Sequence, residues 1–145
     1  MTAVRITFAT PPDEDGWPPA PFERVWAERT SDRLARIDNV PFFSKEANLD
    51  DLVEFRIEAD GVCAFVRNIE PSPNSLVRVL LHKDEAFERV RKHLMALGCT
   101  VEGHAKMLML AVSIPPSVGL QTPMNYLVAL EDEQELEYEE AVLRP

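Results

Sequence analysis

The sequence predicts an α+β fold, with a small antiparallel β-sheet or open barrel over residues 1–70 fused to a ferredoxin-like βαββαβ sandwich over residues 71–145, both packed as one compact unit. Three observations carry this expectation. Short runs of period-two hydrophobic alternation fill the first half, whereas the second half interleaves such runs with two stretches of helical periodicity. Between the halves, EPSPN at residues 70–74 puts two prolines where neither strand nor helix continues easily. The length of 145 residues, with 46% hydrophobic and 28% charged side chains, suits one domain or two small fused ones with a proper core.

Along the first half, Val4, Ile6 and Phe8 alternate with Arg5 and Thr7, the period of a half-buried strand. TPPDEDGWPPAP (residues 10–21) holds five Pro and one Gly and reads as an exposed loop. FERVWAER and RLARIDNV read as two strands joined by a polar turn at Thr30 to Asp32. Ile37 closes the second of these and Pro41 ends its pairing, while Phe42 and Phe43 are expected to turn into the core. In DDLVEFRIEADGVCAFVRNIE, Val53, Phe55 and Ile57 alternate with Glu54, Arg56 and Glu58, and Asp60-Gly61 supplies a hairpin turn before Cys63 and Phe65.

In the second half SLVRVLLH reads as a strand, followed by a helix capped by Asp84, with Phe87, Val90, Leu94 and Leu97 as its apolar stripe and Gly98 as its stop. CTVEGHAKMLMLAVSIPP reads as two strands, the second apolar throughout from Met107 to Val112. Thr122 as cap with Pro123 at the first helical position starts a second helix that directs Met124, Leu127 and Val128 inward. ELEYEEAVL could prolong that helix, but Leu136 and Tyr138 alternate with Glu135, Glu137 and Glu139, which favours a final strand. The order strand, helix, strand, strand, helix, strand is that of a split βαβ sandwich.

Five segments resemble a bacterial domain of unknown function, DUF4265: ERVWA (Glu23 to Ala27), IDNVPFF (Ile37 to Phe43), DDLVEF (Asp50 to Phe55), SLVRV (Ser75 to Val79) and EYEEA (Glu137 to Ala141). The resemblance covers roughly residues 22–141 and implies a size and layout compatible with this reading. It implies no activity.

Fifteen basic against twenty-five acidic side chains give a formal charge of −10, seven of the acids lying in residues 131–145. Such a chain disfavours nucleic acid, whose phosphates need a cationic face, and favours a basic protein partner. No apolar run reaches the roughly 18 residues of a membrane span and MTAVRITFAT has no leader pattern, so the expectation is a cytoplasmic protein away from membranes. Cys63 and Cys99 stand singly in apolar stretches, as buried small hydrophobes do.

Catalytic and cofactor signatures are sparse. His82, His93 and His104 fall into no metal-ligand spacing, there is no GxSxG elbow, and the five glycines form no phosphate loop, so neither metal nor cofactor is expected. Asp50 and Asp51 are adjacent, which in a strand would turn them to opposite faces; one of them capping a turn competes with a catalytic role. Asn39 reads as a turn amide bonding backbone.

Two features stand apart. Trp17, flanked by Asp13, Glu14 and Asp15 and framed by prolines, suits an interface anchor held at low entropic cost, the alternative being that it covers the sheet end. Glu135, Glu137 and Glu139 would line one side of a strand, protecting an edge or presenting a negative stripe to a cationic partner. These residues frame the functional expectation: a non-enzymatic, acidic protein-binding module, in its sharpest form an immunity-type inhibitor of a basic bacterial toxin. The alternative is a regulatory or small-ligand-sensing ferredoxin-like domain.

Overall fold

The computed structural model describes residues 2–144, which fall into two compact units divided between Ser72 and Pro73. In the first, five strands run β1 (Ala3–Ala9), β2 (Phe22–Arg29), β3 (Leu34–Ile37), β4 (Leu52–Ile57) and β5 (Cys63–Glu70). Each pairs antiparallel with the next, and β1 meets β5 in parallel at Ile6↔Cys63 and Thr7↔Ala64, closing a barrel. Alternation drives this directly: Ile6 and Phe8, Val25 and Ala27, Ala35 and Ile37, Val53 and Phe55 point inward and are buried. Phe65 stacks on Phe8 at 4.6 Å between ring centroids.

The second unit runs β6 (Ser75–Leu81), α1 (Ala86–Ala96), β7 (Thr100–His104), a 3-10 turn (Ala105–Met107), β8 (Met109–Ile114), α2 (Gln121–Asp132) and β9 (Leu136–Val142). Its strands form one antiparallel sheet in the order β7-β8-β6-β9. Val77, Val79, Leu110 and Val112 from the sheet share a core with Val90 and Leu94 of α1 and Leu127 and Leu130 of α2. His93 of α1 stacks on Tyr126 of α2 with centroids 3.8 Å apart. Among the described residues no helix is long and apolar enough to cross a membrane.

The described residues are mostly β, with 41% strand and 18% helix: a closed five-stranded barrel plus a second sheet and two helices. This corrects the expected fold class, an α+β chain of a small antiparallel sheet or open barrel fused to a ferredoxin-like βαββαβ sandwich. The physical reason lies in the first half. Register shifts between Leu52 and Val53 and between Glu54 and Phe55 bend the β4–β5 hairpin and increase its twist, bringing β5 back against β1. Closure leaves no open edge in that sheet where an open one would expose two.

Local readings are corrected as well. Neither helix carries a side-chain cap: α1 is preceded by Glu85 and α2 by Leu120, in place of Asp84 and Thr122. Pro123 still falls in the first turn of α2, where a missing N–H costs nothing. Ile57 and Val128 are exposed, Ile57 because β4 ends there beside the hairpin turn.

Candidate functional site

The proline-rich loop after β1 is tied at both ends. At its base Thr10 donates its N–H to Pro21 O (2.7 Å) and its hydroxyl to Ala20 O (2.8 Å). At its tip Asp13 Oδ1 accepts the N–H groups of Asp15 (2.9 Å) and Trp17 (3.0 Å), while the Asp13 N–H bonds Trp17 O at 2.7 Å. Gly16 completes this tight turn at φ 78°, a conformation that a side chain would strain. The Trp17–Pro18 peptide is cis.

Trp17 is thereby projected outward. It stays 42% exposed, with its ring edge-on to Phe43 at 5.7 Å and 83°. Phe42 and Phe43 do not enter the core as expected; both are half-buried, 6.4 Å apart, and Val40 and Ala47 are buried in their stead. Glu23 on β2 holds them there, its carboxylate accepting the N–H groups of Phe42 (2.6 Å), Phe43 (3.1 Å) and Ser44 (2.9 Å). Asn39 is the turn amide the sequence indicated: its Oδ1 accepts the Trp26 N–H at 2.7 Å, and the Asp38 N–H bonds Trp26 O at 2.8 Å. Two of the family-like segments, ERVWA and IDNVPFF, are therefore bonded to one another, with an aromatic corner on top.

The paired acids of the third segment are structural in geometry. Asp51 is fully buried; its Oδ2 accepts the Asn48 N–H (2.9 Å) and Asn68 Nδ2 (2.7 Å), and its Oδ1 the Ser72 N–H (2.8 Å). The Asp51 N–H bonds Asn48 O at 3.1 Å, so the residue caps a turn at the start of β4. Asp50 takes the left-handed conformation at φ 69°.

The acids near β9 do not form an unengaged stripe. Glu135 accepts from Arg89 at 2.5 Å, Glu137 lies 3.2 Å from His82 Nε2, and Glu139 lies 3.4 Å from the buried Arg78. The Arg89 guanidinium, hydrogen-bonded to Glu135, holds that carboxyl below the usual range. The carbonyl of Gln134 and, after it, Glu137 raise the His82 imidazole above its ordinary value. Glu135, Glu137 and Glu139 thus belong to the ion-pair network of the second unit. Asp13, Glu14, Asp15 and Trp17 belong to the first.

Among the described residues no three His, Cys, Asp or Glu side chains gather as a metal site would require. Both cysteines are free thiols, and burial pushes Cys99 up to about 11, far from a reactive thiolate at neutral pH. The aromatic corner is the feature that local packing explains least. It is legible in part: the sequence marks Trp17 as an interface candidate and Phe42 and Phe43 as apolar residues bound for the core, but nothing marks Glu23, since a carboxylate that serves backbone N–H groups has no partner side chain to signal it.

No curated protein matches the chain. A crystal structure of a hypothetical protein from Neisseria gonorrhoeae is similar across 100% of this chain and 98% of its own, at 18% identity and a TM-score of 0.77, which supports the fold and carries no activity. With residues 23–138 matching the family described as a domain of unknown function, the chain belongs to the DUF4265 family.

Proposed function

We propose that this protein is a non-enzymatic binding module that takes a cationic protein segment onto the corner formed by Trp17, Phe42 and Phe43. One observation carries the reading. Trp17 is fixed by a hydrogen-bonded turn and an aromatic contact, yet keeps 42% of its surface open. A rigid, half-open indole loses little freedom on binding and is the side chain most enriched at interface hot spots.

Charge selects the partner. Asp13, Glu14 and Asp15 precede Trp17 in the same loop, and residues 1–72 hold fourteen acidic against eight basic side chains. A Lys or Arg laid on the indole face gains a cation–π contact and a favourable field together. Glu135, Glu137 and Glu139, already engaged by cations of their own unit, drop out of the proposed surface. In its narrower form the reading is that of a cytoplasmic immunity-type protein that neutralises a basic toxin.

Photo-crosslinking in the native host tests this. A benzophenone amino acid at position 14 is expected to capture one protein through a peptide containing Lys or Arg, with capture lost on Trp17→Ala. Capture that is unchanged by Trp17→Ala, or that is confined to acidic peptides, contradicts the reading.

A further inference from the structure

A second surface of the barrel unit has a different chemistry. In the β1–β2 register Arg5 faces Trp26 and Thr7 faces Arg24, and Arg5, Trp26 and Arg24 are exposed on the outer side of the barrel. The Arg5 guanidinium lies over the Trp26 ring at 5.2 Å from its centroid, which fixes its position before any ligand arrives. Arg24 is the diagonal neighbour of Arg5, about 7–8 Å away by the geometry of such pairs and within reach of long side chains.

Among the described residues no carboxylate lies within ion-pair distance of Arg5 or Arg24, although acids outnumber bases in this unit. By contrast, Arg56 pairs with Glu58 at 2.9 Å and Arg67 with Glu54 at 2.8 Å. Arg5 and Arg24 lie diagonally on this face, with Trp26 and Thr7 directly opposite them, so two cations share one patch of the sheet. Both line a cleft of about 370 Å³, together with Thr7, Val4, Val62 and Asp60. Asp60 is engaged in its own turn, its Oδ1 accepting the Val62 N–H at 3.0 Å.

We infer that this cleft is a binding site for a small organic phosphate. Guanidinium groups match phosphate oxygens, and donors from Arg5, Arg24 and the Thr7 hydroxyl come from two strands, which suits a tetrahedral dianion with three terminal oxygens. A carboxylate is satisfied by a single planar guanidinium and needs no second one. Val4 and Val62 give the organic portion an apolar wall, and the volume falls within the roughly 300–1,000 Å³ of small-molecule sites. The site is independent of the aromatic corner, so either can fail without the other.

Titration calorimetry on the full chain with phenyl phosphate tests it. The expected result is saturable 1:1 binding, weakened about tenfold or more by Arg5→Gln and by Arg24→Gln. Both variants should keep the wild-type circular dichroism spectrum. Arg67→Gln should bind as the wild type does, and benzoate should bind about tenfold more weakly than phenyl phosphate. The inference is overturned by the absence of saturable binding, by affinity that survives both substitutions, or by an equal loss in Arg67→Gln.

Discussion

The Glu23 carboxylate accepts the backbone N–H of Phe42 at 2.6 Å, joining β2 to a segment nineteen residues further along the chain. With Phe43 and Ser44 it gathers three successive N–H groups, so one side chain anchors the backbone of the phenylalanine half of the aromatic corner. Glu23→Ala leaves these donors without their acceptor and is expected to cost about 2–4 kcal/mol in urea unfolding. Glu23→Gln, which keeps an oxygen acceptor, should cost less. In a Trp26→Phe background, Trp17 fluorescence should shift to the red in the alanine variant as its Phe43 support loosens.

Asp51 makes a comparable prediction in a fully buried setting. Its oxygens serve Asn48, Asn68 and Ser72, so Asp51→Ala strands several donors at once and should lower stability by about 3 kcal/mol or more. Thermal unfolding monitored by circular dichroism measures this. A stable, fully folded Asp51→Ala protein would leave the residue available for another role.

Glu139 and Glu140 are neighbours on β9 with different burdens. Both are exposed, but Glu139 faces the buried Arg78 across the β6–β9 ladder, whereas Glu140 lies opposite Val77. Charge reversal at Glu139 puts a second cation beside a buried guanidinium and should cost about 3 kcal/mol or more. Glu140→Lys should stay within about 0.5 kcal/mol of the wild type. Chemical denaturation of the two variants side by side reads the difference.

His82 gives the pH dependence. Hydrogen bonding to the Gln134 carbonyl and to Glu137 raises its folded-state value above the ordinary 6.5. The charged form is favoured in the folded state, so its stabilising contribution is complete below about pH 6.5 and disappears as pH rises through the raised value. An NMR titration should place the His82 imidazole above 6.5. Stability of His82→Gln should lose the wild type's decline across that window.

What the sequence made legible was local. Ile6 and Phe8, or Val53 and Phe55, announce inward faces because a strand's side-chain period is two, and the structure buries all four. Barrel closure depends on Ile6 meeting Cys63, a contact between distant segments that no local pattern encodes. Phe42 and Phe43 read as core because they are apolar, but Glu23 anchors their backbone at the surface. The acids around β9 read as one surface because their partners Arg89, His82 and Arg78 come from α1 and the β6 region. Asp84 and Thr122 read as helix caps, yet the helices start without a side-chain cap, for a similar reason. Backbone turns such as Ala86 N–H to Lys83 O open α1, and no side chain marks them.

The most direct measurement is the affinity of the crosslinked partner for wild-type protein and for Trp17→Ala, at low salt and at high salt. An indole hot spot predicts a loss of about 2 kcal/mol or more, roughly thirtyfold, with further weakening as salt screens Asp13, Glu14 and Asp15. Affinities that agree within about twofold, well under 1 kcal/mol, would place the binding surface elsewhere and contradict the account.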